Sequence, residues 1–133
     1  MKELARESNL VNKPCPCCSG RDYASCCGPF HEGAPAPTPE ALMRSRYSAF
    51  SLGLAEYLLK TWAEENRPQT LSLDDGTEWL NLKVIKASED GDKGIVNFIA
   101  KGKVGTKVFR MHEISRFVRR DGKWFYLDGT QIK

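Results

Sequence analysis

The chain has 133 residues, of which 41% are hydrophobic and 28% charged, values that are typical of one globular domain and exclude wholesale disorder. No stretch approaches the roughly 20 apolar residues of a membrane span, and residues 1–12 lack the apolar centre of a signal peptide, so we expect a cytoplasmic protein without membrane association. The net charge of +3 is uneven, because residues 79–133 carry twelve Lys and Arg against six Asp and Glu. This basic half permits an acidic or RNA-rich partner, although a solvated sheet face has the same composition.

The cysteines are confined to one thirteen-residue window. They are Cys15, Cys17, Cys18, Cys26 and Cys27. A disulfide-stabilised secreted domain would distribute an even number of cysteines through the fold, and adjacent cysteines bridge poorly. Thiolates are also the ligands that hold structural Zn²⁺ in a tetrahedral shell. The window therefore predicts a zinc site, in preference to free thiols or to a catalytic thiol, which usually needs a cation beside it.

The residues between the cysteines carry a family resemblance. Residues 15–28 read CPCCSGRDYASCCG, and this stretch resembles the SEC-C motif, a small zinc-binding knuckle first known from the SecA translocation motor. We call residues 15–28 the knuckle. The resemblance implies the zinc ligands Cys15, Cys17, Cys26 and Cys27. Cys18 stands where the motif usually has Gly, and His31 lies close by, so the sequence leaves open whether either of them takes part in ligation.

The segment after the knuckle is a linker. Residues 29–39 contain four prolines, Gly33 and small residues, a composition typical of an extended, semi-stiff connection. The sequence predicts an N-terminal tail and zinc knuckle over residues 1–33 and a main domain over residues 34–133. We expect the linker to place the knuckle beside the main domain without making it part of the core. A knuckle this short needs the metal for its folding energy.

Two helices are predicted next. Thr38, Pro39 and Glu40 suit the N-cap and first turn of a helix, and apolar residues follow at helical spacing up to Phe50. Gly53 interrupts the pattern. A second short helix is predicted over residues 54–63, and residues 70–78 are predicted to form a loop.

From Trp79 onward the pattern changes to alternating strands. The predicted strands cover about residues 79–85, 93–101, 106–118 and 124–127, with turns over 88–91 and 102–105 and a type I′ hairpin turn at Asp121-Gly122. Short helices followed by four antiparallel strands indicate an α+β domain, with the helices packed on one face of a curved sheet.

A second resemblance covers most of the chain. Residues 39–50 (PEALMRSRYSAF) and 112–117 (HEISRF) resemble the YchJ family, and with the knuckle the similarity runs from about Cys15 to Gly129. The resemblance implies a cone of the nuclear transport factor 2-like (NTF2-like) type. The family has no firmly established biochemical activity, so the resemblance implies a fold and a metal more directly than a function.

The third predicted strand and the first long helix supply candidate pocket residues, namely Tyr47, His112 and Arg116. Strand alternation places His112, Ile114 and Arg116 on one face, and Met111, Glu113, Ser115 and Phe117 on the other. A histidine is able to act as a base near neutral pH, beside an arginine that holds an anion. The alternative is a structural network in which Arg44 or Arg46 ties helix to sheet through an acidic partner.

Two functions from different classes follow. The first is an interaction module whose knuckle docks on a protein or ribosome-associated partner through a structural zinc. The second is an enzyme or small-molecule binder that uses a pocket in the cone around His112 and Arg116. The sequence offers no complete catalytic constellation, which favours the first. Nucleic acid stacked on Trp62, Trp79 or Trp124 is a further alternative for the partner.

Overall fold

The computed structural model describes residues 13–132, and the tail over residues 1–12, for which no signal peptide is predicted, lies outside them. The helices are α1 (Gly28–His31), α2 (Pro39–Leu52) and α3 (Ala55–Lys60), and 3-10 turns lie at Tyr23–Ser25 and Glu64–Asn66. The strands are β1 (Thr77–Asp90), β2 (Lys93–Val104), β3 (Lys107–Arg120) and β4 (Lys123–Ile132). Within the described residues, no helix is long and apolar enough to cross a membrane.

The four strands form one antiparallel sheet in the order β1-β2-β3-β4. Helix α2 contacts β1, β2 and β4 on one face of this sheet. Along β2, every second residue from Gly94 to Gly102 is buried, which marks the face turned toward the helix. The predicted α+β architecture, short helices on a curved antiparallel sheet, is confirmed.

Helix α2 begins and ends at its predicted signals. The Thr38 side-chain oxygen accepts a hydrogen bond from the Ala41 N–H at 3.0 Å, and Pro39 occupies the first helical position. Gly53 ends the helix with a left-handed φ of 76°.

Helix α3 is shorter than predicted and stops at Lys60. The chain after it pairs with β4, because the Tyr126 N–H donates to the Thr61 carbonyl at 2.8 Å and the Ala63 N–H donates to the Tyr126 carbonyl at 2.7 Å. These backbone groups cannot also belong to a helix, so a partner distant in sequence ends α3 early.

The strands are longer than predicted. The prediction of a turn over residues 88–91 is wrong. Ser88 pairs with Ile95 inside the sheet, and the chain turns only at Gly91-Asp92. Gly102 lies inside β2 instead of at a hairpin tip. Asp121 and Gly122 both have positive φ, 53° and 77°, which confirms the predicted type I′ turn.

The buried core is continuous from the cone to the knuckle. Four knuckle cysteines and Tyr23 belong to the same buried cluster as Leu42, Met43 and Phe117. The expectation that the linker holds the knuckle outside the core is therefore wrong. The physical reason is that the cysteine side chains face α2 and pack against it, as described next.

Candidate metal centre and cone cavity

Two short turns bring four cysteines of the knuckle to one place. In the first, Pro14 pairs with Asp22 as an antiparallel bridge, and the Cys15 N–H donates to the Arg21 carbonyl at 2.8 Å. The second is the 3-10 turn Tyr23–Ser25, after which the other two cysteines lead into α1. Both turns are local, so the sequence pattern alone encodes them.

The four sulfur atoms form a cluster with the dimensions of a tetrahedral metal site. All lie within 4.8 Å of one another, and the four residues are buried. The Sγ atom of Cys26 is 3.6 Å from that of Cys17 and 4.0 Å from that of Cys27. A tetrahedral ion with metal–sulfur distances of about 2.3 Å separates its ligands by about 3.8 Å. The donor set and its size therefore fit a thiophilic ion such as Zn²⁺.

The thiols also influence one another's protonation. Hydrogen bonds from Cys15 and Cys27 lower the pKa of Cys17, so this thiol is the first to become a thiolate. A hydrogen bond with Cys17 raises the pKa of Cys15, and hydrogen bonds with Cys15 and then Cys17 raise the pKa of Cys27, with burial acting in the same direction on both. A bound divalent ion would favour the thiolate form of all four, because metal ligands must be deprotonated.

Polar groups of the knuckle surround one of the sulfurs. The Ser19 hydroxyl lies 3.2 Å from Cys26 Sγ, and Arg21 donates from Nη2 to the same sulfur at 3.6 Å. Such donors disperse the negative charge of a thiolate-rich site and orient its ligands.

Helix α2 supplies the remaining contacts. The Ser48 hydroxyl, which is fully buried, donates to Cys27 Sγ at 3.3 Å and lies 3.5 Å from Cys15 Sγ. Arg44 donates from Nη1 to the Cys17 carbonyl at 3.0 Å. The knuckle is therefore attached to the cone through its cysteines themselves.

Cys18 stands apart from the cluster. Its side chain is exposed, and its Sγ lies 3.5 Å from the Pro16 carbonyl oxygen. Its φ of 65° lies in the left-handed region that favours glycine. This conformation gives a physical reason for the Gly that the resembled motif usually has here.

His31 also lies outside the sulfur cluster and forms hydrogen bonds to other groups. Its Nε2–H donates to the Ser45 carbonyl at 2.8 Å, so its Nδ1 accepts from the Tyr23 hydroxyl at 2.6 Å. Burial lowers the pKa of His31, which favours this neutral form. With both ring nitrogens engaged, His31 ties α1 to α2 and is not available to the sulfur cluster.

The three candidate pocket residues are not brought together. Tyr47 lines a cavity between α2 and the inner face of the sheet. His112 and Arg116 lie on the outer face, where His112 Nε2 is 2.7 Å from the Asn97 side-chain oxygen and Arg116 Nε donates to Asp128 at 2.7 Å. The alternation predicted for β3 is correct, and it separates these two side chains from Tyr47.

The inner face of β3 contributes different polar residues to the cavity. They are Glu113 and Ser115, and α2 adds Arg46. The cavity, which we call the cone cavity, has a volume of about 240 Å³. The sequence does not indicate the role of Ser48, because its sulfur partners come from a distant segment. It indicates Arg46 as a structural residue with an acidic partner, whereas the structure pairs its Nη1 with the Leu58 carbonyl and the Thr61 hydroxyl.

Two family models match the chain. The model described as the YchJ middle NTF2-like domain covers residues 38–129, and the SEC-C motif covers residues 12–29. A UPF0225 protein of Chromobacterium violaceum is 49% identical over 123 residues, which cover 86% of this chain and 90% of that protein.

Solved structures show the same fold. The solution structure of a SEC-C motif containing protein from Rhodopseudomonas palustris is 35% identical, with a TM-score of 0.81 over 90% of this chain and 98% of its own. The crystal structure of a SEC-C motif containing protein from Psychrobacter arcticus is 28% identical, with a TM-score of 0.78 over 94% of this chain and 86% of its own.

Proposed function

We propose that this chain, which belongs to the YchJ family of proteins with an NTF2-like domain and a SEC-C motif, is a zinc-dependent interaction module. In this proposal the knuckle binds one structural Zn²⁺ and docks on a protein or ribosome-associated partner. The ligands are Cys15, Cys17, Cys26 and Cys27. The observation that carries the proposal is the cluster of their four buried sulfurs within 4.8 Å of one another, in a segment that the SEC-C motif matches.

The composition of the cluster favours a structural metal. Four thiolates fill the tetrahedral shell of Zn²⁺ and leave no position for a water molecule or a substrate. A bound Zn²⁺ would add folding energy to that of the core which the knuckle shares with the cone. The side chains of Ser19, Arg21 and Ser48 contact the sulfurs and would orient them toward the metal.

The outer side of the knuckle is the proposed docking surface. The sulfurs face α2, whereas Arg21, Ala24, Ser25 and, beside the knuckle, Pro29 are exposed. A surface held rigidly by a metal loses little conformational entropy when it binds, which favours docking.

The test compares two matched substitutions in the full chain. Ser25→Glu places a charge on the exposed side of the knuckle, and Ser88→Glu places the same charge on exposed β1. Tagged wild-type chain and both variants are used to recover partners from a bacterial lysate, with and without ribonuclease. We expect a defined partner to bind the wild type and Ser88→Glu but not Ser25→Glu.

Two measurements make this outcome interpretable. Metal analysis of all three proteins should give one zinc per chain, which shows that Ser25→Glu acts on the surface and not on the site. Loss of the partner after ribonuclease treatment would assign it to the ribonucleoprotein class. Equal recovery by Ser25→Glu, or no specific partner with the wild type, would contradict docking through the knuckle.

The two competing functions have less support. An enzyme or binder built around His112 and Arg116 has less support, because both side chains lie on the outer sheet face, away from the cone cavity, and are paired there. A stacking platform for bases needs exposed aromatic rings. Trp124 is buried, and Trp62 and Trp79 line the cone cavity instead.

A further inference from the structure

The cone cavity has the size and walls of a site for a single ring. It lies between α2 and the inner sheet face and has a volume of about 240 Å³. Most of its lining is aromatic or apolar, including Phe50, Trp62, Trp79, Phe98 and Phe117. An engineered apolar cavity of about 150 Å³ is able to hold benzene. The cone cavity therefore has room for a ring with one substituent.

One cation lies in the wall of this cavity. Arg46 is 6% exposed, and its Nη1 donates to the Leu58 carbonyl at 2.8 Å and to the Thr61 hydroxyl at 2.7 Å. Its guanidinium carbon lies over the rings of Trp62, at 5.2 Å, and Tyr126, at 4.7 Å. Although burial lowers the pKa of Arg46 to about 10, the side chain remains charged at neutral pH.

The charge of Arg46 is not matched by an ion pair. Among residues 13–132, no carboxylate lies within 4.0 Å of its guanidinium nitrogens. Both of the hydrogen bonds described above come from Nη1, so the other guanidinium N–H groups are left for a further acceptor. Glu113, which lines the same cavity, acts on Arg46 through its charge but forms no ion pair with it. A buried cation that lacks a direct carboxylate partner is costly, and an anion bound to its free N–H groups would reduce that cost.

A further buried N–H group belongs to a residue of the same wall. The indole Nε1 of Trp62 is buried and has no hydrogen-bond partner in the described part of the chain. The acidic residue of the cavity, Glu113, accepts from the Ser115 hydroxyl at 2.7 Å. Its negative charge repels an anionic ligand, and the repulsion of a dianion is about twice that of a monoanion. Among anions, the cavity thus favours one with a single negative charge.

We propose that the cone cavity binds a small aromatic carboxylate, with the ring among the aromatic walls and the carboxylate on Arg46. A planar carboxylate matches the guanidinium fork, which donates two parallel hydrogen bonds. Aromatic walls favour a flat ring through edge and stacking contacts. This site is separate from the knuckle, and the proposal does not depend on docking or on a bound metal.

The test uses benzoate as the probe and two analogues of the same shape, neutral benzamide and cationic benzylamine. Each is titrated into the ¹⁵N-labelled full chain while the indole N–H signals are followed by NMR. We expect benzoate to shift the Trp62 signal saturably, with benzamide at least about 10-fold weaker because it lacks the charge that Arg46 would bind. The Trp124 indole, which is buried outside this cavity, should not respond.

Three variants complete the experiment. Arg46→Met should weaken benzoate binding at least about 10-fold. Arg116→Met, the same change at an exposed arginine on the outer face, should leave it unchanged. Glu113→Gln removes the repelling charge and keeps the side-chain shape, so it should strengthen benzoate binding. If Arg46→Met does not fold, Glu113→Gln still decides, because unchanged or weaker binding there contradicts the proposal.

The proposal is overturned by any of four results. The first two are no saturable shift of the Trp62 signal with benzoate and equal binding of benzamide. The other two are unchanged benzoate affinity in a folded Arg46→Met variant and unchanged or weaker benzoate binding by Glu113→Gln.

Discussion

The knuckle and the cone cavity lie against the same helix, yet the ligands that we propose for them have opposite charge. In the knuckle, four thiol groups converge within 4.8 Å, and hydroxyl and guanidinium groups lie within hydrogen-bonding distance of their sulfurs. In the cavity, one buried guanidinium lies among aromatic rings without an ion pair. Burial is similar in both places. The proposed ligands therefore differ because of the balance of donors, acceptors and charge in each region, and each prediction below changes one region and compares it with the other.

The largest effect is expected from loss of the metal. Cys27→Ser removes a proposed ligand, and structural zinc contributes about 10–16 kcal/mol to folding in small zinc-binding peptides. Because the cysteines belong to the common core, we expect the whole domain to lose several kcal/mol, and metal content to fall below one ion per chain. Metal analysis and thermal unfolding measure the two quantities.

Cys18→Ser is the matched control for this change. Cys18 is exposed and outside the cluster, so its substitution should keep one metal ion per chain and change stability by less than about 0.5 kcal/mol. If Cys18→Ser also lost the metal, the four-cysteine assignment would be wrong.

The next largest effect is expected from a substitution that destabilises the cone and leaves the knuckle unchanged. Leu58 is fully buried in α3, and its replacement by Ala should cost about 2–5 kcal/mol because it removes apolar contacts and leaves a cavity. Metal affinity should stay unchanged, since Leu58 does not contact the cysteines. Leu80→Ala, at a 41% exposed position, is the control and should have little effect in chemical denaturation. A fall in metal affinity with Leu58→Ala would show that the two regions are not separable in this way.

A smaller effect sharpens the boundary between the two regions. Ser48→Ala removes the hydroxyl that donates to Cys27 Sγ and adjoins Cys15 Sγ, and loss of such a group typically weakens metal binding about 10–100-fold. Ser51→Ala, at an exposed position of the same helix, should leave the affinity unchanged. Competition with a chromophoric chelator measures both variants. Equal affinities would mean that α2 does not tune the cluster.

The smallest effect is expected at the surface. Arg120 donates to Glu65 and lowers the pKa of this exposed carboxyl from 4.5 to about 2. Because the pKa in the folded state is depressed, the stabilisation is present above pH 4.5 and is lost as the pH falls toward 2. Glu65→Gln should be slightly less stable than the wild type at pH 7, and the difference should shrink on acidification. Urea unfolding at several pH values measures this, with the exposed substitution Glu89→Gln as control.

Features encoded by neighbouring residues could be predicted from the sequence. The cap at Thr38, the end of α2 at Gly53 and the turn at Asp121-Gly122 depend on local backbone preferences, and each lies where the sequence indicates. The sulfur cluster belongs to the same class, because two short turns bring its members together.

Features that depend on distant partners could not be predicted. The end of α3 is set by Tyr126, which lies far along the chain, and the hydroxyl beside the sulfurs comes from Ser48, 21 residues after Cys27. The pocket residues on β3 are an intermediate case. Strand alternation correctly placed His112 and Glu113 on opposite faces. Glu113 shares its face with the apolar residues Met111 and Phe117, and this was the signal in the sequence that the face turns inward.

Helix α2 carries both regions at once. Residues 44, 45 and 48 face the knuckle and the α1 histidine, whereas residues 43, 46, 47 and 50 line the cone cavity. One helix thus connects the two proposed binding sites, and thermodynamic linkage would make any coupling between them reciprocal. If zinc fixes the helix in the position that a cavity ligand needs, it must tighten that ligand by the factor by which the ligand tightens zinc. The occupancy of each site would then depend on the concentrations of both the metal and the cavity ligand.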